Sequence, residues 1–119
     1  MSESLTVFIA EHDDHFASLA MSHVAARGMT VRKFRTGGEL LEALEEQRVP
    51  PDVLILAALL PDRNGLELCK KIKEYTPYSR IKVILVSSFP RTARFVSEAK
   101  TRYRADFYIE QPFEAATLP

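Results

Sequence analysis

The 119-residue chain has a single cysteine, no net formal charge and no long apolar run. With Cys69 alone, no internal disulfide can form, which points to a reducing, cytoplasmic setting. Sixteen basic and sixteen acidic residues cancel, which argues against nucleic-acid or membrane binding driven by bulk charge. No apolar stretch approaches the ~20 residues that a spanning helix needs. The start, Met1-Ser2-Glu3-Ser4, lacks the basic and apolar segments of a secretory signal. Repeats, low-complexity stretches and an internal domain boundary are also missing. What remains is a chain with 46% apolar residues, enough for one domain with a sizeable core.

Short apolar segments alternate with helical patterns. Leu5–Ala10 reads as a strand buried on both faces. Asp13 or Asp14 then offers an N-cap to a helix with Phe16, Leu19, Ala20 and Val24 at helical spacing, closed by Gly28. Met29–Phe34 gives a second strand. Gly37 and Gly38 precede a helix carrying Leu40, Leu41 and Leu44, ended by Val49-Pro50-Pro51. Val53–Leu56 is a third strand. A helix from Asn64 or Gly65 places Leu68, Cys69 and Ile72 on one face. Ile81–Val86, a helix from Arg91 to about Tyr103, and a strand Asp106–Ile109 follow, with a last element from Phe113. Such alternation predicts βαβ units: an α/β, flavodoxin-like, doubly wound parallel sheet of five strands with helices on both faces. In such sheets function sits beyond the carboxyl ends of the strands. Phe113–Pro119 makes barely two turns, so either the chain is cut from a longer protein or its last helix is reduced.

Two stretches are specific: Leu60-Pro61-Asp62-Arg63-Asn64-Gly65-Leu66-Glu67-Leu68 and Ala105-Asp106-Phe107-Tyr108-Ile109-Glu110-Gln111-Pro112-Phe113. On these, with the strands between them, nearly the whole chain resembles the bacterial receiver domain, the phospho-accepting module of two-component signalling. The resemblance implies a phospho-accepting aspartate four residues before Pro61, where this chain has Ala57. It implies an acidic pair for magnesium after the first strand, where Glu11 and His12 stand, followed by Asp13 and Asp14. Magnesium wants oxygen ligands in octahedral geometry, and an imidazole is a poor substitute. The family's hydroxyl matches Ser87, its lysine matches Gln111, its aromatic switch matches Tyr108, and its often cis proline matches Pro112.

A methyl group has no lone pair to attack phosphorus and no charge to hold a metal. Loss of aspartate or lysine alone would strand a partly buried charge, at a cost on the order of 3–5 kcal/mol, whereas loss of both can be close to neutral. Ala57 with Gln111 therefore reads as a pocket that has given up phosphoryl chemistry. The joint changes at Gln111 and His12 favour a natural loss at Ala57 over an engineered substitution, which the sequence leaves open. Glu11, His12, Asp13 and His15 lack the spacing of a transition-metal site and read as a capped strand-to-helix loop. His23 reads as a boundary residue and Cys69 as buried filler. Ser87 has no base at motif spacing and reads as a pocket hydrogen-bonding group, not a nucleophile.

The expected function is a non-enzymatic pseudo-receiver that needs no cofactor and no metal. It would act as a protein-interaction module in bacterial signal transduction, through a protein partner, an attached output domain or a second copy of the chain. Neither membrane binding nor direct nucleic-acid binding is expected. The predicted partner surface holds Arg94, Tyr103, Tyr108 and Phe113, because arginine and aromatic side chains dominate binding energies. Two alternatives are a phosphorylated switch with Asp13, Asp14 or Asp62 as displaced acceptor, and a small-molecule or metal sensor using the vacated pocket.

The paired loss of charge generates a test. Ala57→Asp alone is expected to lower stability or leave it unchanged, because it sets a carboxylate beside Glu11 without a lysine to balance it. Adding Gln111→Lys should recover part of the loss. Denaturant unfolding of the two single variants and the double variant measures the coupling. A clearly stabilised single variant, or strict additivity, would contradict the compensation.

Overall fold

Apolar segments of four to six residues form the strands of one parallel sheet in the computed structural model. The structure describes residues 5–87 and 93–110; for 93–96 and 110 it describes the backbone alone. In chain order the elements are β1 (Thr6–Ala10), α1 (Asp14–Ala26), β2 (Thr30–Phe34), α2 (Gly37–Glu46), β3 (Val53–Ala57), α3 (Gly65–Glu74), a short 3-10 turn (Thr76–Tyr78), β4 (Lys82–Ser87), α4 (Ala93–Thr101) and β5 (Phe107–Glu110). The strand order is β2-β1-β3-β4-β5, the flavodoxin-like order predicted from the alternation. The strand expected from Met29 starts one residue later, at Thr30; the helix expected from Arg91 is described from Ala93, with residues 91 and 92 outside the described residues. Ser88, Gln111, Pro112, Phe113 and the expected last helix lie outside the described residues.

The sheet separates two apolar layers. Phe8, Leu54, Leu56, Val83, Leu85 and Tyr108 pack with Leu40 and Leu44 of α2, Leu68, Cys69 and Ile72 of α3, and Ala99 of α4. Val7 and Ile9 pack with Ala17, Ala20, Met21 and Val24 of α1. The inward stripe of α1 thus runs through residues 17, 20, 21 and 24, and Leu19, expected in that stripe, is exposed. Leu19 lies two positions from Ala17 and one from Ala20, which at 100° per residue turns it off the contact line.

The helices begin where the sequence supplies acceptors. Asp13, not Asp14, caps α1, taking the N–H groups of His15 and Phe16 at 3.0 and 3.2 Å. Asp14 instead pairs with Arg35 at 2.8 Å and Lys33 at 3.5 Å on the rim of β2. Gly37 and Gly38 lie inside the first turn of α2 rather than before it. Thr36 caps the helix by accepting from the Glu39 N–H, and Glu39 accepts from the Arg35 N–H. Gly28 ends α1 at φ +80°, the left-handed conformation that glycine adopts without a Cβ penalty.

At the amino ends of the strands one ion pair ties three elements together. Lys73 of α3 donates to Asp106 at 2.9 Å, to the Ile81 carbonyl at 2.8 Å and to the Ser79 carbonyl at 3.2 Å. The same Asp106 oxygen accepts from the Val83 N–H of β4 at 2.8 Å. Burial alone would raise the Asp106 carboxyl. The hydrogen bonds from Lys73 and Val83 and the charges of Lys73 and Lys82 outweigh it and hold the carboxyl below its ordinary 3.8. A carboxyl depressed by folding stabilises the native state above its unfolded pKa, and that stability is lost as pH falls through the folded value. Asp106→Asn is therefore expected to destabilise by ~1–3 kcal/mol at neutral pH, since it leaves Lys73 without its carboxylate. The gap between variant and wild type should close as pH falls below 3.8, measured by urea unfolding across pH.

Candidate functional site

The carboxyl ends of β1, β3 and β4 are neighbours because those three strands are adjacent in the sheet. Ala10 pairs with Leu56, and Ala57 with Val86. This register brings Glu11, Ala57 and Ser87, all buried, to one end of the sheet. Gln111 lies outside the described residues, and His12 stands at the rim with an exposed side chain.

Ala57 forms the apolar floor. The Ala58 N–H donates to the Val86 carbonyl at 2.8 Å, which carries the sheet one residue past Ala57. The chain then turns through Leu60, whose N–H donates to the Arg63 carbonyl at 3.1 Å, and returns so that the Gly65 N–H reaches the Ala58 carbonyl at 2.9 Å. A Cβ on Gly65 would collide with the Ala57 carbonyl oxygen, so only glycine permits this approach. Asn64 caps α3 through the N–H groups of Leu66 and Glu67, at 2.8 and 3.2 Å. The geometry of loop and helix thus depends on the backbone at 57 and not on any functional group there.

Each carboxylate near this end already holds a partner. Asp62 accepts from the Gly37 and Gly38 N–H groups, each at 2.9 Å, and these bonds hold its carboxyl below the ordinary range. It therefore joins the loop after β3 to the start of α2, a role that sequence spacing did not suggest because the partners are 24 and 25 residues away. Asp13 is spent on the cap of α1, and Asp14 on Arg35. Glu11 is the one buried carboxylate among the described residues at this end. Its Oε2 accepts from the Asp13 N–H at 3.1 Å and lies 3.4 Å from His12 Nδ1.

This donor set does not fit magnesium. A methyl replaces the third oxygen ligand, an imidazole stands in the second position, and Asp13 is turned to the helix end. Among the described residues, no group of three His, Cys, Asp or Glu side chains has the arrangement of a metal site. Cys69 is fully buried in the main core and burial pushes its thiol up to about 12, so it is inert packing.

The predicted partner surface is only partly assembled. Tyr103 is half-buried, with the Arg102 guanidinium 5.4 Å from its ring centre. Tyr108 is a correction: it pairs with Leu85 and lies in the core at 5% exposure, so its ring offers no contact area in this conformation. The period of two along β5 turns Tyr108 inward and its neighbours Phe107 and Ile109 outward, both about half exposed. Alternation along Phe107-Tyr108-Ile109 was the signal that could have revealed them. The side chain of Arg94 and the whole of Phe113 lie outside the described residues.

Glu11 carries a consequence that can be measured. Burial raises its carboxyl above the ordinary 4.5, and the Asp13 N–H and His12 only partly offset that. A carboxyl raised by folding leaves stability intact below its unfolded pKa and lowers it as pH climbs through the folded value. Glu11→Gln, which keeps the acceptor for Asp13, is expected to raise the thermal midpoint at neutral pH. The gain should vanish as pH drops below 4.5.

Comparison with known proteins bears on the family and the fold. The family model for the response regulator receiver domain matches residues 7–119. Adventurous-gliding motility protein Z of Myxococcus xanthus is 30% identical over 94% of this chain and 8% of its own length. The phosphate regulon transcriptional regulatory protein PhoB of Rhizobium meliloti is 27% identical over 94% of this chain and 48% of its own. The chain thus spans half or less of the length of these relatives. A response regulator structure from Chloroflexus aurantiacus superposes with a TM-score of 0.82 at 24% identity, covering 97% of this chain and 91% of that one. With the sheet order, the loop after β3 and the match over residues 7–119 in agreement, the chain belongs to the response regulator receiver domain family of two-component signalling.

Proposed function

We propose that this receiver domain works without aspartyl phosphorylation, as a non-enzymatic protein-interaction module in bacterial signal transduction. The observation that carries the reading is Ala57, a buried methyl at the end of β3 where the family places its nucleophile. Gln111 in place of the family lysine supports it from sequence. The partner would be another protein or an output domain on the same polypeptide, and the setting the cytoplasm. Among the described residues no helix is long and apolar enough to cross a membrane.

The displaced-acceptor alternative finds little support. Asp62 has its oxygens on the Gly37 and Gly38 amides, Asp13 caps α1, and Asp14 is paired with Arg35. Phosphorylating any of the three would break a bond that the fold uses.

Incubation with acetyl phosphate and magnesium is expected to yield no aspartyl phosphate. Intact-mass spectrometry checks this. A stoichiometric adduct, stable in acid and labile in base, would overturn the proposal. Asp62→Asn in the same assay would then test whether that residue accepts the phosphoryl group.

A further inference from the structure

Far from the degenerate pocket, at the amino ends of the strands, a groove of about 720 Å³ opens between α3 and the α4–β5 connection. Its walls carry five cations, Lys70, Lys73, Lys100, Arg102 and Arg104, against two carboxylates, Glu74 and Asp106. Lys73 is consumed by Asp106, and Arg104 reaches Glu74 only at 3.9 Å on the surface. Lys70, Lys100 and Arg102 have no carboxylate partner among the described residues. Arg104 holds φ +66°, a left-handed conformation that a side-chain-bearing residue rarely adopts. Glycine would relieve that strain, yet this position at the groove's rim keeps a cation.

The opposite edge of the same sheet face carries the complementary charge. Glu42, Glu45 and Glu46 are exposed on α2, three and four residues apart, and make no ion pair within the described residues. They crowd the last turns of a helix that has no basic residue in its final turn. Carboxylates at a helix C-terminus oppose the macrodipole, and like charges four apart repel. Arg48 lies two residues beyond the helix end and forms no ion pair with them. Within one molecule the two surfaces cannot meet: α2 packs over β1 and β2, α4 over β5, and α3 stands between them.

We infer that the basic groove of one copy receives the acidic α2 stripe of a second copy, in a head-to-tail contact. A contact between two different patches is heterologous and repeats into a ring or an open chain. It offsets the unpaired charge on both faces at once. Individual exposed ion pairs contribute little, so the association depends on several acting together and is screened by salt. Among the described residues the groove has no aromatic lining on which a base could stack, which favours an acidic polypeptide face over a nucleotide. The inference rests on the reading of the domain as an interaction module, but it is measured without a phosphodonor, so either can fail alone.

Sedimentation velocity on the full 119-residue chain tests it. Association of the wild type is expected to weaken at least about tenfold between about 0.05 M and about 0.5 M salt. Lys70→Glu with Lys100→Glu, and separately Glu42→Lys with Glu45→Lys, should each weaken self-association at least about tenfold. An equimolar mixture of the two charge-reversed proteins should restore it to within about threefold of wild type, since each groove again faces a stripe of opposite sign. Circular dichroism confirms folding, and Lys70→Gln with Lys100→Gln reads the groove without reversed charge should the first variant not fold. A wild type that stays monomeric at low salt, or a mixture no more associated than its parts, would overturn the inference. So would a monomeric chain that binds a polyglutamate peptide, because the groove's occupant would then be a different acidic protein.

Discussion

The Gly65 backbone lies against the Ala57 carbonyl, and the rest of the carboxyl end of the sheet is arranged around that approach. It sets the entry of α3, returns the loop from Leu60 to Asn64 and closes the floor beneath Glu11 and Ser87. All of these bonds are between backbone groups. None asks for a carboxylate at 57, and a buried methyl there adds apolar packing at no desolvation cost. The receiver scaffold at this end is therefore held together without a carboxylate at position 57.

Charged side chains act in this fold mainly as fasteners between elements distant in sequence. Asp62 joins the β3–α3 loop to α2, Asp106 and Lys73 join α3, β4 and β5, and Asp14 with Arg35 joins α1 to β2. In the first two, folding depresses the carboxyl because donors outnumber what burial takes away. Glu11 is the exception. It is buried, and desolvation raises its carboxyl more than the Asp13 N–H and His12 lower it, so it keeps its proton more readily. The uneven treatment of these acids separates those held by donors from the one governed by burial.

Exposure follows from sheet position as much as from residue type. β2, at one edge, is largely exposed, and Arg32 stacks over Phe8 and Phe34 at 5.6 and 5.1 Å from their ring centres. Charges on an edge strand also discourage pairing with another sheet. At the other edge β5 turns Tyr108 into the core and Phe107 and Ile109 out. Composition alone favoured Tyr108 as a contact residue; the strand's alternation, fixed by its pairing with β4, decided otherwise.

Periodicity and breakers determined the order of elements, the fold class and the buried stripe of α3, and narrowed the cap of α1 to Asp13 or Asp14, because those depend on residues within a few positions of each other. The same local reasoning placed Ala57 at the end of its strand, beside Glu11 and Ser87. It could not show that Asp62 is held by Gly37 and Gly38, that Lys73 reaches Asp106, or that unpaired acids and bases stand at opposite edges of one sheet face. Those relations join residues dozens of positions apart. Only the strand order, set by packing both faces of the sheet at once, brings such residues together or holds them apart.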